Sequence, residues 1–128
     1  MKTTLAAILI FFATPALAMP ICGKEKRVTC IVDGDTVWID GEKIRLLGID
    51  APELRSQCAI EKRKAALATD RLRTILSDNT FTIERTGHDR YGRTLAHLRI
   101  GKTTAGQMMI EGDFARPWRG HSVDWCHD

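Results

Sequence analysis

The sequence predicts an α+β domain in which β-structure dominates: a small five-stranded Greek-key barrel with one long and one short helix packed on it. Three observations lead there. Short runs rich in β-branched and aromatic residues recur between turns marked by Gly and Asp. A single long amphipathic stretch, Ser56–Ser77, interrupts them after the third run. A much shorter helical run, Ala105–Glu111, follows the last one.

Residues 1–18 are read as an export signal and set apart from the fold. Lys2 is a positive start, Leu5–Ala13 an apolar core, and Ala16-Leu17-Ala18 a cleavage pattern. The apolar run is too short to span a bilayer, and no cysteine follows the cleavage pattern directly to accept a lipid. The mature chain would begin at Met19, and residues 19–128 suffice for one domain with a modest core. The expected location is the periplasm or the medium, with no membrane attachment after cleavage. Lys2 is the one charged residue of the leader, so the mature part carries one positive charge fewer than the formal +3 of the whole sequence. That balance permits a polyanionic partner without requiring one.

The first strand is Val28–Val32, followed by the turn Asp33-Gly34-Asp35 and a second strand, Thr36–Ile39. Asp40-Gly41 marks a tight hairpin turn into a third strand, Lys43–Leu47, which leaves a loop at Ile49–Glu53. In the helix Ser56–Ser77, Ile60, Leu67, Leu72, Ile75 and Leu76 supply an apolar stripe, with Lys62, Arg63, Lys64, Arg71 and Arg73 mostly off it. Those basic residues read as a solvated face. Thr80–Arg85 alternates as a fourth strand, Thr86–Tyr91 is a polar connection closed by Gly92, and Thr94–Ile100 is a fifth strand ended by Gly101. Ala105–Glu111 is a short helix that Gly106 weakens and Gly112 stops. This connectivity is that of the OB-fold, which suggests a nucleic-acid or saccharide binder only by analogy.

All four cysteines lie beyond the export segment, and an even count in an oxidising compartment favours two disulfides. Of the three pairings, Cys22–Cys30 with Cys58–Cys126 is preferred: the first closes a short loop, the second ties the C-terminal tail to the middle of the chain. A zinc site of Cys126, His121 and His127 is the rival, but those spacings match no standard metal pattern.

The chemistry concentrates between Asp33 and Glu53. In a meander the first turn and the last loop lie at one end of the sheet, which brings Asp35 and Asp50 together, with Glu53 nearby and Arg45 reaching in from the third strand. Clustered carboxylates repel unless a cation sits among them, and a hard divalent ion is the usual answer.

Three stretches carry a resemblance: Val32–Thr36, Arg45–Glu53 (RLLGIDAPE) and Asp89-Arg90-Tyr91-Gly92-Arg93. Together, in this order and with a helix between the second and third, they are similar to the thermonucleases, the staphylococcal-nuclease-like phosphodiesterases. The resemblance covers about Val28 to Arg116. It implies that Asp35, Asp50 and the Ala51 backbone carbonyl are calcium ligands, with Asp33 acting behind them. It implies that Glu53 positions or deprotonates the attacking water, and that Arg45 and Arg93 grip the reacting phosphate. Arg90 and Tyr91 stand where the family binds a terminal phosphate. An all-oxygen ligand set suits Ca2+, with Mg2+ the weaker alternative, and not zinc. Planar guanidinium forks match the charge that builds on a phosphate under attack, so lysine would be a poor replacement for Arg45. Taken singly, Arg45 is equally explained by a cross-strand pair with Glu42 or Asp40, and Arg93 by a pair with Glu84. His88 and His97 have no part in the match. Past the second helix the resemblance fails, because the staphylococcal type continues into a third helix. Here Trp118, Trp125 and the Cys58–Cys126 link are candidates to cover that surface, with Trp118 also a possible stacking platform for a base.

The expected function is a metal-dependent endonuclease acting on DNA and RNA, leaving 3′-phosphate ends, monomeric and without a stable protein partner. The rival is a catalytically silent module that only binds nucleic acid or protein; it would have shed an arginine or the glutamate. A saccharide binder would need an aromatic groove and no paired arginines.

Overall fold

The computed structural model describes residues 8–12 and 18–127. In chain order it contains β1 (Cys30–Asp33), β2 (Thr36–Ile39), β3 (Glu42–Leu46), β4 (Ile49–Asp50), α1 (Ala59–Asp78), β5 (Thr82–His88), β6 (Thr94–Ile100), β7 (Thr103–Thr104), α2 (Ala105–Glu111) and β8 (Arg116–Pro117). The expected export signal falls largely outside the described residues. No helix among them is long and apolar enough to cross a membrane.

Six strands form one mixed sheet in the order β1-β2-β3-β6-β5, with β7 alongside β6. Among the described strands β3 and β6 pair in parallel, with Arg45 opposite Leu95, and the other strand pairs are antiparallel. The expected five-stranded barrel is not what forms: no pairing among the described residues joins β1 to β5, and the sheet stays open. The cause lies just after β3. The chain turns at Gly48, whose φ of +76° favours glycine, and β4 then pairs with β8 as a separate two-stranded ribbon. β4, β7 and β8 are two residues each, too short for alternation to reveal them.

The hairpin turn at Asp40-Gly41 has both residues at positive φ, 49° and 83°, the geometry that a right-twisted two-residue turn demands. β5 starts two residues later than expected and runs on to His88, with an irregularity between Arg85 and Gly87 that absorbs the extra length.

The core lies between the sheet and the helices: Ile31, Val37, Ile44, Leu46, Ala96 and Leu98 face Ala68, Leu72, Ile75 and Leu76 of α1, with Ala105 and Met109 of α2. The buried stripe of α1 differs from the expected one. Ile60 and Leu67 are exposed, and Ala65, Ala68 and Thr69 are buried in their place. Small residues are needed there because the β1–β2 turn comes so close. A Cβ on Gly34 would lie 2.8 Å from both the Ala51 and Ala68 methyls. Gly106, which weakens α2 as a helix former, serves the same purpose: its Cβ would meet Ile49 at 3.3 Å.

The disulfides are Cys22–Cys30 and Cys58–Cys126, with Cα separations of 4.9 and 6.0 Å. Cys126 is therefore unavailable to zinc as a thiolate. Cys58 is also the N-cap of α1, its sulfur accepting from the Glu61 N–H at 3.3 Å.

Candidate active site

Two hairpin features bring the carboxylates together. Gly34 lets the β1–β2 turn seat against Ala51 and α1, and the turn carries Asp33 and Asp35 on either side of it. Asp35 is buried and fixed locally: Oδ2 accepts from the Ala51 N–H at 2.9 Å, and Oδ1 from the Thr36 hydroxyl at 2.9 Å. Its backbone carbonyl accepts from the Leu46 N–H at 2.8 Å, locking the turn to the end of β3. Arg45, on β3, reaches across both acids. One terminal nitrogen lies 3.3 Å from Asp35 Oδ2 and 3.8 Å from Asp50 Oδ1, and the other donates to the Leu46 carbonyl at 2.8 Å. The expected cross-strand pair with Glu42 or Asp40 is not made; Glu42 binds Arg85 and Thr94 instead.

Asp33 sits behind this pair, accepting from the Asp35 N–H at 3.2 Å. Burial, then the neighbouring Asp35 carboxylate, pushes its carboxyl up to about 8. Glu53 lies on the exposed loop after Pro52, its N–H donating to Glu61 at 3.4 Å. Partial burial raises its carboxyl first, followed by the fields of Asp35, Glu61 and Asp50. The region therefore gathers several carboxyl groups whose mutual repulsion and burial resist full ionisation.

The second cluster is formed by the β5–β6 turn. Asp89 Oδ1 accepts from the Tyr91 and Arg93 N–H groups at 2.9 and 3.0 Å, and Oδ2 from Arg93 Nε at 2.6 Å. Arg93 thus pairs with Asp89, not Glu84, whose partner is Arg99. Tyr91 lies between two guanidinium groups, with Arg90 at 4.9 Å and Arg93 at 5.4 Å from the ring centre. The Arg90 guanidinium also donates to the Tyr91 hydroxyl at 2.7 Å. No described contact joins this cluster to Asp35, Asp50 or Arg45. In sequence Arg93 lies just ahead of β6, two residues before Leu95, the strand partner of Arg45. His88 is exposed and directly precedes Asp89, and His97 is half-buried.

What sequence reasoning did not find is the contact of the C-terminal tail with Asp50. Asp50 Oδ2 accepts from the Val123 N–H at 2.8 Å and from the Trp125 indole N–H at 3.3 Å. Trp125 is buried, while Trp118 is exposed and gives its backbone N–H to the Gly48 carbonyl at 2.8 Å. The only signal of this was the Cys126 position, since a bridge to Cys58 must draw its neighbour Trp125 towards α1.

Among the described residues no group of three or more His, Cys, Asp or Glu side chains is arranged to hold a metal ion. Asp35, Asp50 and the Ala51 carbonyl are a smaller set, all oxygen, in a locality crowded with carboxyl groups. That chemistry fits a hard divalent cation keeping most of its water, and contains no soft ligand.

Residues 43–124 match the family model described as staphylococcal nuclease homologue. A protein of Escherichia coli O157:H7 named "Uncharacterized endonuclease" is 32% identical over 129 residues, covering 97% of this chain and 78% of its own length. A protein of the same name from Haemophilus influenzae is 31% identical over 131 residues, covering 96% of this chain and 68% of its own. The "Thermonuclease" of Staphylococcus intermedius is 32% identical over 100 residues, covering 73% of this chain and 60% of its own.

Proposed function

Since this chain belongs to the staphylococcal nuclease family, we propose that it is an exported, Ca2+-dependent endonuclease. It hydrolyses phosphodiester bonds of DNA and RNA with little sequence preference, in the periplasm or outside the cell, as a monomer. The observation that carries the reading is Arg45 within ion-pair distance of both Asp35 and Asp50, beside a surplus of carboxylates in one locality.

In this reading Asp35, Asp50 and the Ala51 carbonyl hold the cation, with Mg2+ a weaker substitute, and Asp33 supports Asp35 from behind. When bound, the cation withdraws charge from the phosphoryl oxygens and helps to orient the water. Arg45 and Arg93 donate paired hydrogen bonds to the equatorial oxygens, on which negative charge grows as water attacks. Asp89 holds Arg93 through Nε, which orients the guanidinium and leaves the phosphate to compete for its terminal nitrogens. Glu53 accepts a proton from the attacking water. The water oxygen bonds to phosphorus, the bond to the 5′ oxygen breaks as that oxygen takes a proton from solvent, and the products are a 3′-phosphate and a 5′-hydroxyl. Arg90 and Tyr91 bind a terminal phosphate next to this centre. Recognition through backbone and stacking implies affinity that falls steeply with salt.

The test is digestion of single- and double-stranded DNA and RNA by the oxidised protein with calcium, magnesium or a chelator. Folded Glu53→Ala and Arg93→Ala variants are run beside it. Calcium-dependent cutting lost in both variants is the expected result. Binding without cutting under every metal would make the protein a silent nucleic-acid-binding module, and cutting retained by both variants would move the site elsewhere.

A further inference from the structure

The two acids of the site are held very differently. Asp35 takes its hydrogen bonds from Thr36 and Ala51, within or beside its own turn. Asp50 takes its bonds from the tail: Val123 and Trp125, 73 and 75 residues away in sequence, both donate to Oδ2. Its other oxygen, Oδ1, is the one that faces Arg45. The tail therefore determines which way the Asp50 carboxylate is turned.

Trp125 is built into this position from several sides. The residue is 6% exposed, with Lys64 Nζ 5.7 Å and the Arg116 guanidinium 5.0 Å from the ring centre. β8 pairs Arg116 with Asp50 itself. The next residue, Cys126, is bonded to Cys58 at the N-cap of α1. An indole needs a partner for its single N–H when buried, and here that partner is a carboxylate. Trp38 provides the contrast, since its buried indole nitrogen meets no hydrogen-bond partner.

We propose that Trp125, presented by the Cys58–Cys126 tether, is the positioning residue of Asp50 and sets the affinity of the site for its divalent cation. The proposal rests on the reading of Asp50 as a metal ligand. Groups that orient a ligating carboxylate typically change metal affinity by about 10–100-fold when removed.

The experiment is calorimetric titration of Ca2+ into wild type, Trp125→Phe, Trp38→Phe and Asp50→Asn, at a temperature where circular dichroism shows each fully folded. Trp125→Phe keeps a ring and removes only the donor. It should weaken Ca2+ by about tenfold, whereas Trp38→Phe should bind as wild type does. If Trp125→Phe does not fold, the paired Cys58→Ser and Cys126→Ser variant carries the test, because it frees the tail and leaves Cys22–Cys30 intact. Unchanged Ca2+ affinity in the variant tested, with affinity lost in Asp50→Asn, overturns the proposal and leaves the metal reading standing. Unchanged affinity in Asp50→Asn as well overturns both.

Discussion

At the scale of single residues, Arg45 and Glu42 show how far partners can be inferred from spacing. Arg45 was open to two interpretations, a strand ion pair or a phosphate ligand, and the structure gives it neither Glu42 nor Asp40 but Asp35 and Asp50. Arg45→Lys keeps the charge and loses the planar fork, so nuclease activity should fall by on the order of 10²-fold in single-turnover cleavage. Glu42 was legible only as a charge, because its partners Arg85 and Thr94 come from strands far along the chain. The Arg85 hydrogen bonds, then the Thr94 hydroxyl, lower its carboxyl from the ordinary 4.5 to about 2. A lowered carboxyl stabilises the fold fully above the unfolded value and loses that contribution as pH falls through the folded one. The stability advantage of wild type over Glu42→Gln should therefore shrink between pH 4.5 and about 2 in denaturant titrations. An advantage that persists at the acid end would show that the carboxylate is not what ties these strands.

At the scale of elements, periodicity found α1, α2 and the principal strands, with Leu72, Ile75 and Leu76 of α1 buried as expected but Ile60 and Leu67 exposed. A hydrophobicity pattern weights Ile60 and Leu67 above alanine, yet where the β1–β2 turn approaches α1 the close contact takes Ala68. Gly34 sets that approach, and its role could not be read from a VDGDT turn without knowing what lies above it. Gly34→Ala places a methyl 2.8 Å from two others, so it should destabilise by about 1–3 kcal/mol, as overpacking does. It should also weaken cation binding, because the turn that shifts carries Asp33 and Asp35. A denaturant midpoint equal to wild type would mean the turn has room that the packing does not suggest. In the β5–β6 turn, what escaped notice was that Asp89 ties its own backbone and Arg93 into one unit.

At the scale of the whole molecule, the barrel inferred from strand order is an open mixed sheet. The short β4–β8 ribbon that diverts the chain has no sequence signature, since two residues show no period. Pairing of distant segments was legible where chemistry marked it: the Cys58–Cys126 bridge joins residues 68 apart. Closing so long a loop should be worth roughly 3–5 kcal/mol in the chain-entropy model, and the paired serine variant should lower the thermal midpoint accordingly in calorimetry. A midpoint equal to that of wild type would mean that the tail is held by its packing alone. The same bridge has a meaning for biosynthesis. The ribosome makes Asp50 long before the partners that orient it, 73 and 75 residues later, and their tether closes only where thiols are oxidised. If the tail tunes the site as proposed, a chain still being made, or still among cytosolic reductants, has a poorly set active centre. The hold on the cation is then completed only by covalent maturation of the exported chain.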